Sequence, residues 1–252
     1  MKPARPYTFE SIRTESSELL QRGEISAARE LWTAFLDFAS SHEPIEKLDE
    51  YAACCIEQLP DFYDGYLTRA VLRENRQDHA GALQDVSKAL ALQPGCVDAI
   101  AVKYEILVNL NRNSEALKCA KQLVMFDPGN WINKRKCATV LMTMGDFFGA
   151  LHYINEILEQ IPDEPVLLVD RANCFWMSGR IEEAMADYDM AEIAFRSEGL
   201  TESCLLALAG ISMNRGEIIK HLGYTRQGND MQAQASSLGE LVKAGICLHR
   251  SN

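Results

Sequence analysis

Residues 171–191 of the chain read RANCFWMSGRIEEAMADYDMA, and this stretch holds the features that decide the fold. Gly179 and Arg180 interrupt a helical pattern, and glycine at such a break can adopt the left-handed conformation that ends a helix. A second helical pattern follows, in which Ala184 and Ala191 are small residues. Small side chains at a repeated spacing let two helices approach closely. The stretch therefore predicts two helices joined by a tight turn.

The same features recur along the chain with a period of 34 residues. Alanines equivalent to Ala184 stand at three earlier positions with this spacing: Ala82, Ala116 and Ala150. Prolines that would stop each second helix show the same interval: Pro60, Pro94, Pro128 and Pro162. Gly145 is equivalent to Gly179, whereas Gln77 and Asn111 stand at the two earlier turns. Two registers that share one period indicate tandem helix-pair repeats that stack into a solenoid.

At these residues the chain resembles the tetratricopeptide repeat family. The strongest match comprises Arg171, Ala172, Phe175, Gly179, Ala184, Tyr188 and Ala191, and a second comprises Arg69, Ala70, Ala82, Ala89 and Pro94. The middle units depart from the pattern, with Tyr104, Leu123 and Ile157 in place of small residues. The resemblance extends from Phe62 to Phe195. It implies an all-α fold, a right-handed α-solenoid of stacked antiparallel helix pairs (a TPR-like superhelix) with helical caps.

Three regions are expected on this basis. Residues 1–60 are expected to form an N-terminal degenerate repeat or helical cap, and residues 197–252 a C-terminal helical cap. Residues 61–196 are expected to hold four tandem repeats, at about 63–96, 97–130, 131–164 and 165–196. Two alignments of the N-terminal region stay open. Gly23 and Ala28 imitate the turn and alanine of a repeat, whereas the register from Pro60 places Trp32 where Tyr66 stands.

Helical patterns also lie outside the four repeats. They predict helices over residues 8–22, 25–40, 45–59, 201–222 and 230–249. Residues 223–229 are rich in Gly, Thr, Gln and Asn, so this segment is expected to be a linker.

Composition limits the classes of function. The net charge of −11 argues against nucleic acid and anionic membranes, which attract clustered Lys and Arg. No apolar run approaches the roughly 20 residues of a spanning helix, so no membrane insertion is expected. The 8 cysteines form no CxxC motif and have no histidine at ligand spacing, which favours free thiols and no metal site. The expected location is cytoplasmic, where thiols stay reduced.

No catalytic motif is recognisable in the sequence. It contains no Gly-rich phosphate loop, no HExxH motif and no nucleophile elbow, and the 5 histidines are isolated. The chain is therefore expected not to be an enzyme and to carry no catalytic residues and no cofactor.

One polar pattern indicates structural ion pairs. Arg69 and Asp85 are 16 residues apart, as are Arg171 and Asp187, and the two middle units lack both residues. Arginine and aspartate thus occur together at facing sites on the two helices of a unit. We expect each pair to fix helix packing rather than to bind a ligand.

The resemblance also implies where a partner would bind. In tetratricopeptide repeats the first helix of each pair lines a concave groove suited to a peptide or partner protein. The groove-facing residues are expected to include Leu67, Val71, Asp98, Glu105, Arg135, Thr139, Asn173 and Trp176. Within this set, Arg135, Asn173 and Trp176 are expected to anchor an acidic or C-terminal peptide. Packing of Trp176 against the C-terminal helices is the alternative.

Family members that hold the C-terminal carboxylate of heat-shock chaperones use Lys, Asn and Arg on three first helices. The matching positions here carry Leu67, Val71, Val102, Ile132 and Lys136, so this carboxylate clamp is not expected. The leading hypothesis is a scaffold or adaptor that binds a peptide or partner protein in the groove. The alternative is a dedicated cytosolic chaperone or secretion-type co-factor that holds an amphipathic client. A homo-oligomer through the terminal helices is possible under either hypothesis.

Overall fold

The computed structural model describes residues 8–199 and 201–243, which form helices and short turns without any strand in those ranges. The chain divides into two compact units, between Pro128 and Gly129. Each unit is a layer of helices packed through apolar side chains, and we describe each separately.

Over residues 8–128, the first unit contains seven helices. They are α1 (Phe9–Gln21), α2 (Ile25–His42), α3 (Ile45–Gln58), α4 (Tyr63–Asn75), α5 (His79–Leu92), α6 (Val97–Asn109) and α7 (Asn113–Phe126). One apolar core joins α1, α2 and α3 around Trp32, which is fully buried. A second core joins α4, α5 and α6 around Ala70, Ala82 and Ile106.

The second unit contains six helices in its described part. They are α8 (Trp131–Thr143), α9 (Phe147–Leu158), α10 (Pro165–Met177), α11 (Ile181–Glu198), α12 (Glu202–His221) and α13 (Thr225–Lys243). Its fully buried side chains include Ile154, Ile157, Leu167 and Tyr188.

In the part of the chain that the structure describes, six helix pairs share one type of turn. In each turn a residue with positive φ ends the first helix: Gly23, Gln77, Asn111, Gly145, Gly179 and Gly223. The next residue donates its backbone N–H to a carbonyl one turn back in that helix, as Asp146 does to Leu141 at 2.9 Å. This bond satisfies a carbonyl that the helix end would otherwise leave unpaired. The pairs are α1–α2, α4–α5, α6–α7, α8–α9, α10–α11 and α12–α13, and α3 stands outside them.

Small residues occupy the crossing point of nearly every pair. The two positions lie seven residues before and five residues after the left-handed residue. They carry Ser16 with Ala28, Ala70 with Ala82, Tyr104 with Ala116, Ala138 with Ala150, Ala172 with Ala184, and Gly216 with Gly228. All twelve are buried. Tyr104 is the exception, and it is one of the residues at which the middle repeats depart from the family pattern.

The N-terminal alignment follows the Gly23 register. Gly23 has a φ of 79° and Glu24 N–H donates to the Leu19 carbonyl at 2.9 Å, the same turn as in the central pairs. Trp32 is instead part of the core, where its indole N–H donates to Ser16 and Gln58 at 2.9 and 3.1 Å. The predicted helix over residues 45–59, which is α3, therefore lies between the first helix pair and α4 and belongs to no pair.

The predicted linker over residues 223–229 is wrong from Thr225 onward, because α13 begins there. Its Gly228 lies against the backbone of Gly216, so the glycine that suggested a flexible segment serves a close helix contact. The predicted helix end at His249 lies outside the described residues. The other four predicted helices outside the repeats begin and end within about two residues of α1, α2, α3 and α12.

Candidate peptide-binding faces

In the first unit, polar contacts connect α4 to two other helices, α6 and α2. Glu74 of α4 accepts a hydrogen bond from the Asn109 amide of α6, and it also contacts His79 Nδ1 at 2.8 Å. At the other end of α4, Asp64 accepts from the Thr33 hydroxyl of α2 at 2.6 Å. The α4 and α6 helices therefore lie side by side and present one common face.

That face combines aliphatic and acidic side chains. Leu67 and Val102 are partly buried against the core beneath them, and Val71 is 39% exposed. Asp98 and Glu105 of α6 are exposed. The structure thus places the four predicted groove residues of this unit on two adjacent helices.

Two carboxylates lie near Tyr63, the first residue of α4. Tyr63 is close enough to Asp64 and Asp98 for both carboxylates to raise the pKa of its phenol. Burial is the largest cause, and together these effects raise the pKa of Tyr63 to about 12. The carboxylates of Asp64 and Asp98 therefore both lie near Tyr63.

In the second unit, Arg135 is already paired. Its Nε donates to Asp170 of α10 at 2.8 Å, with side chains 36% and 16% exposed respectively. Thr139 is exposed, and its hydroxyl donates to the Arg135 carbonyl at 3.0 Å. The sequence reasoning did not identify Asp170, although this carboxylate lies 35 residues after Arg135, one residue more than the repeat period.

The other two expected anchors also make intramolecular contacts. The Asn173 side-chain oxygen accepts from Asn214 of α12 at 2.9 Å and from the Tyr188 hydroxyl. The Trp176 ring meets His221 of α12 edge-on, with ring centroids 5.4 Å apart. Trp176 thus contacts α12, the kind of contact that the alternative packing describes. A ligand would have to replace these contacts to use the three residues as anchors.

The arginine and aspartate residues at 16-residue spacing lie within hydrogen-bonding distance. Arg69 donates to both carboxylate oxygens of Asp85 at 2.8 and 2.7 Å, and Arg171 does the same to Asp187 at 2.6 and 2.8 Å. Both aspartate side chains are only 6% exposed. Arg73, which the sequence reasoning missed, also contacts Asp85 at 2.9 Å. These groups tie the two helices of a pair together.

The described residues show no cluster of three metal-ligating side chains. Within the same residues, no helix combines the length and apolar character needed to cross a lipid bilayer. Burial raises the pKa of the Cys55 and Cys174 thiols to about 12, which makes these two thiols poor nucleophiles.

No protein-family model matches the chain. Protein FlbA of Caulobacter vibrioides is 33% identical over 122 residues, which is 48% of this chain but only 19% of FlbA. The chain therefore spans about a fifth of the length of this curated relative.

Solved structures resemble the fold over much longer stretches. The TPR protein YrrB, described as having an unusual peptide-binding site, has a TM-score of 0.60 at 17% identity, covering 65% of this chain and 84% of YrrB. A tetratricopeptide repeat protein from Parabacteroides merdae has a TM-score of 0.59 at 16% identity, covering 94% of this chain and 96% of that one. PilF of Pseudomonas aeruginosa has a TM-score of 0.55 at 16% identity, covering 94% and 91%.

At such identities the likeness establishes the fold and nothing further. It agrees with the 34-residue period, the repeated left-handed turns and the small residues at the helix crossings. The chain is therefore a tetratricopeptide-repeat protein in fold.

Proposed function

We propose that this protein is an interaction scaffold or adaptor that binds a peptide or partner protein along the first helices of its pairs. The observation that carries the proposal is the face of α4 and α6, where Leu67, Val71 and Val102 are only partly covered. Aliphatic side chains left half-exposed on neighbouring helices offer an apolar surface to a partner, with polar groups around it to set orientation.

The peptide-binding site in the description of YrrB supports the same kind of function, as an analogy of fold. The cytoplasmic location and the absence of enzymatic activity are parts of this proposal. So are the expected domain limits at residues 60 and 196.

Site-specific photo-crosslinking tests the proposal. A photoreactive amino acid would replace Val71 in the first unit or Thr139 in the second, both of which are exposed on first helices. Matched controls carry it at Met125 of α7 or Ile193 of α11, which are 81% and 69% exposed on second helices. Irradiation in native-host extract, followed by mass spectrometry, identifies what each position contacts.

We expect discrete protein adducts from Val71 or Thr139 and none of the same adducts from Met125 or Ile193. Adducts from the second-helix positions alone would contradict binding along the first helices. The variants need only retain the wild-type melting temperature for this comparison to be valid.

A chaperone that holds an amphipathic client is the second candidate, and one observation favours it. At or next to the turns between its helices, the second unit exposes large apolar side chains: Met144, Phe148, Met177, Leu222 and Tyr224, with exposures of 46%, 87%, 60%, 48% and 62%. Such surface could hold unfolded chains without sequence preference. Suppression of client aggregation that is lost in Phe148→Ser, and retained in Val71→Ser, would favour the chaperone over the adaptor.

A further inference from the structure

The second unit exposes apolar side chains at all three of its turns between paired helices. The left-handed residues Gly145, Gly179 and Gly223 mark these turns. Large apolar side chains that are between 46% and 87% exposed lie within three residues of them: Met144, Phe148, Met177, Leu222 and Tyr224. We call these five residues the apolar turn edge.

The three turns lie along one edge of the unit because its helix pairs pack side by side. The ion pair between α8 and α10 makes these two first helices neighbours. Trp176 at the end of α10 is in ring contact with His221 at the end of α12, and Met177 and Leu222 are the next residues. Neighbouring helix axes are about 8–10 Å apart, so three adjacent turns span roughly 20 Å.

The corresponding turns of the first unit are mainly charged. Ile25 is exposed there, but charged and exposed side chains directly precede or follow the left-handed residues: Arg22, Glu24, Arg76, Asp78 and Arg112. Such side chains keep the edge of a solenoid hydrated. The apolar turn edge is therefore a property of the second unit and not of the repeat pattern.

The charged groups beside the apolar turn edge do not have to be buried with it. Arg180 donates to Glu183 at 2.6 Å, and Asp146 caps the start of α9 by accepting a backbone N–H at 2.9 Å. Glu182 and Arg226 are exposed, and charged side chains can stay hydrated at the rim of an interface. A partner can thus cover the apolar side chains while these charges stay paired or hydrated.

The exposed area of the apolar turn edge suits a protein–protein interface. The exposed fractions of the five residues amount to roughly 700 Å², against roughly 800 Å² per partner in an interface of standard size. Soluble monomers rarely expose connected apolar patches of more than a few hundred Å². The area is therefore what a stable dimer needs from each copy.

The five side chains are also distributed evenly about the middle turn. Met177 lies at that turn, with Met144 and Phe148 at the turn on one side and Leu222 and Tyr224 at the turn on the other. A two-fold axis through the middle turn would bring Met177 next to its counterpart. It would also place each outer turn against the opposite outer turn of the other copy. A surface that matches itself in this way is what a two-fold symmetric dimer requires.

We propose that a second copy of this chain binds the apolar turn edge, in a symmetric dimer that has the two α10–α11 turns at its two-fold axis. This inference goes beyond the proposed function and does not depend on it, because the turns are not the proposed binding face. It assigns the five side chains to a second copy, whereas the chaperone candidate assigns them to a client.

Sedimentation velocity of the full chain, from about 1 to 100 μM, measures the dissociation constant of the dimer. Phe148→Ser and Met177→Ser remove apolar contacts at an outer turn and at the middle turn. The matched controls, Ile193→Ser of α11 and Met125→Ser of α7, remove exposed apolar side chains away from the edge. Melting temperatures verify that each variant is folded.

Photo-crosslinking tests the symmetry. A photoreactive amino acid replaces Met177 or Phe148, with Ile193 as the control position, and isotope-labelled copies are mixed with unlabelled ones. Mass spectrometry then separates adducts between two copies from those within one copy. The two-fold arrangement predicts adducts from position 177 to the α10–α11 turn of the other copy, and from position 148 to its α12–α13 turn.

We expect the wild type to sediment as a dimer at the higher concentrations. Phe148→Ser and Met177→Ser should each raise the dissociation constant about tenfold or more, because each substitution removes two apolar side chains from a symmetric interface. The controls should change it by roughly twofold or less. Added NaCl should not weaken the dimer, since salt screens charges and not apolar contacts.

A chain that stays monomeric at all these concentrations would overturn the inference. A dimer that dissociates in high salt, or that the control variants weaken equally, would also overturn it, because other contacts would then hold the copies together. Adducts from position 148 to other proteins alone, in host extract, would assign the edge to a client instead. The proposed function is judged separately, by the adducts from Val71 and Thr139.

Discussion

Gly216 and Gly228 lie against each other where α12 crosses α13. A Cβ atom on Gly228 would be 2.6 Å from the Gly216 carbonyl oxygen and 2.6 Å from Lys220 Cγ. These are the two crossing positions that carry alanine in most of the other pairs, such as Ala172 with Ala184. The last pair is therefore packed so closely that even a methyl group does not fit.

Gly228→Ala should destabilise the second unit by about 1–3 kcal/mol, because the added methyl meets backbone that cannot move aside. Gly210→Ala is the matched control, since nothing lies within 4 Å of a Cβ at that exposed position of α12. There the higher helix propensity of alanine should stabilise by about 0.5–1 kcal/mol. Urea unfolding of both variants measures whether the free energy of unfolding falls in Gly228→Ala and rises in Gly210→Ala. Equal changes in the two variants would contradict the close contact.

Gln77 and Asn111 have left-handed backbone conformations, with φ values of 63° and 55°. The other four helix pairs have glycine at this position of the turn. Because a side chain is disfavoured in this conformation, Gln77→Gly should stabilise the first unit by about 1 kcal/mol. The converse change, Gly145→Gln, should destabilise the second unit by a similar amount. Shifts of the same sign in the two unfolding midpoints would show that the turns are not equivalent.

Asp187 is nearly buried and receives two hydrogen bonds from Arg171. Asp187→Asn leaves the arginine without its charged partner, so we expect a loss of about 2–3 kcal/mol in the free energy of unfolding. Glu183→Gln breaks the exposed pair with Arg180, in which both side chains are about half exposed. That variant should melt close to the wild type, because solvent screens exposed pairs. A loss of similar size in the two variants would argue against a structural role specific to Asp187.

Cysteine alkylation should distinguish the thiols by burial. A thiol with a pKa of about 12, such as those of Cys55 and Cys174, is ionised in roughly one molecule in ten thousand near pH 8. Cys96, which lies at the start of α6 and is partly exposed, should react with iodoacetamide in the folded protein. Peptide mass spectrometry before and after unfolding measures this order. Early labelling of Cys55 would mean that its core opens readily.

The sequence predicted most helices well, and its errors have a physical cause. The turn at Gly23 and the helices α1, α2 and α3 follow from local patterns of apolar residues and breaks. The start of α13 did not, because Gly228 resembles a linker residue unless the helix that crosses it is known. A glycine in a sequence can mark a flexible backbone or a close contact between two helices. Only the atoms around it in the fold decide between the two.

The candidate faces were predictable in position but not in chemistry. The 34-residue period was enough to place Leu67, Val71, Asp98 and Glu105 on neighbouring first helices. The period could not show that Arg135 pairs with Asp170, because it gives only the helix on which each residue lies. A residue's register does not reveal which of its neighbours its side chain will reach.

By itself, then, the sequence determined the repeat period, the pairing of helices and the site of each central turn. These features depend on residues close together in the chain, whose helix propensity, apolar spacing and backbone freedom act locally. Only the tertiary structure decided that Asn173 accepts a hydrogen bond from Asn214 and that Gly216 packs against Gly228. Such contacts depend on how closely one helix packs on the next, which is set by the volumes of many side chains acting together.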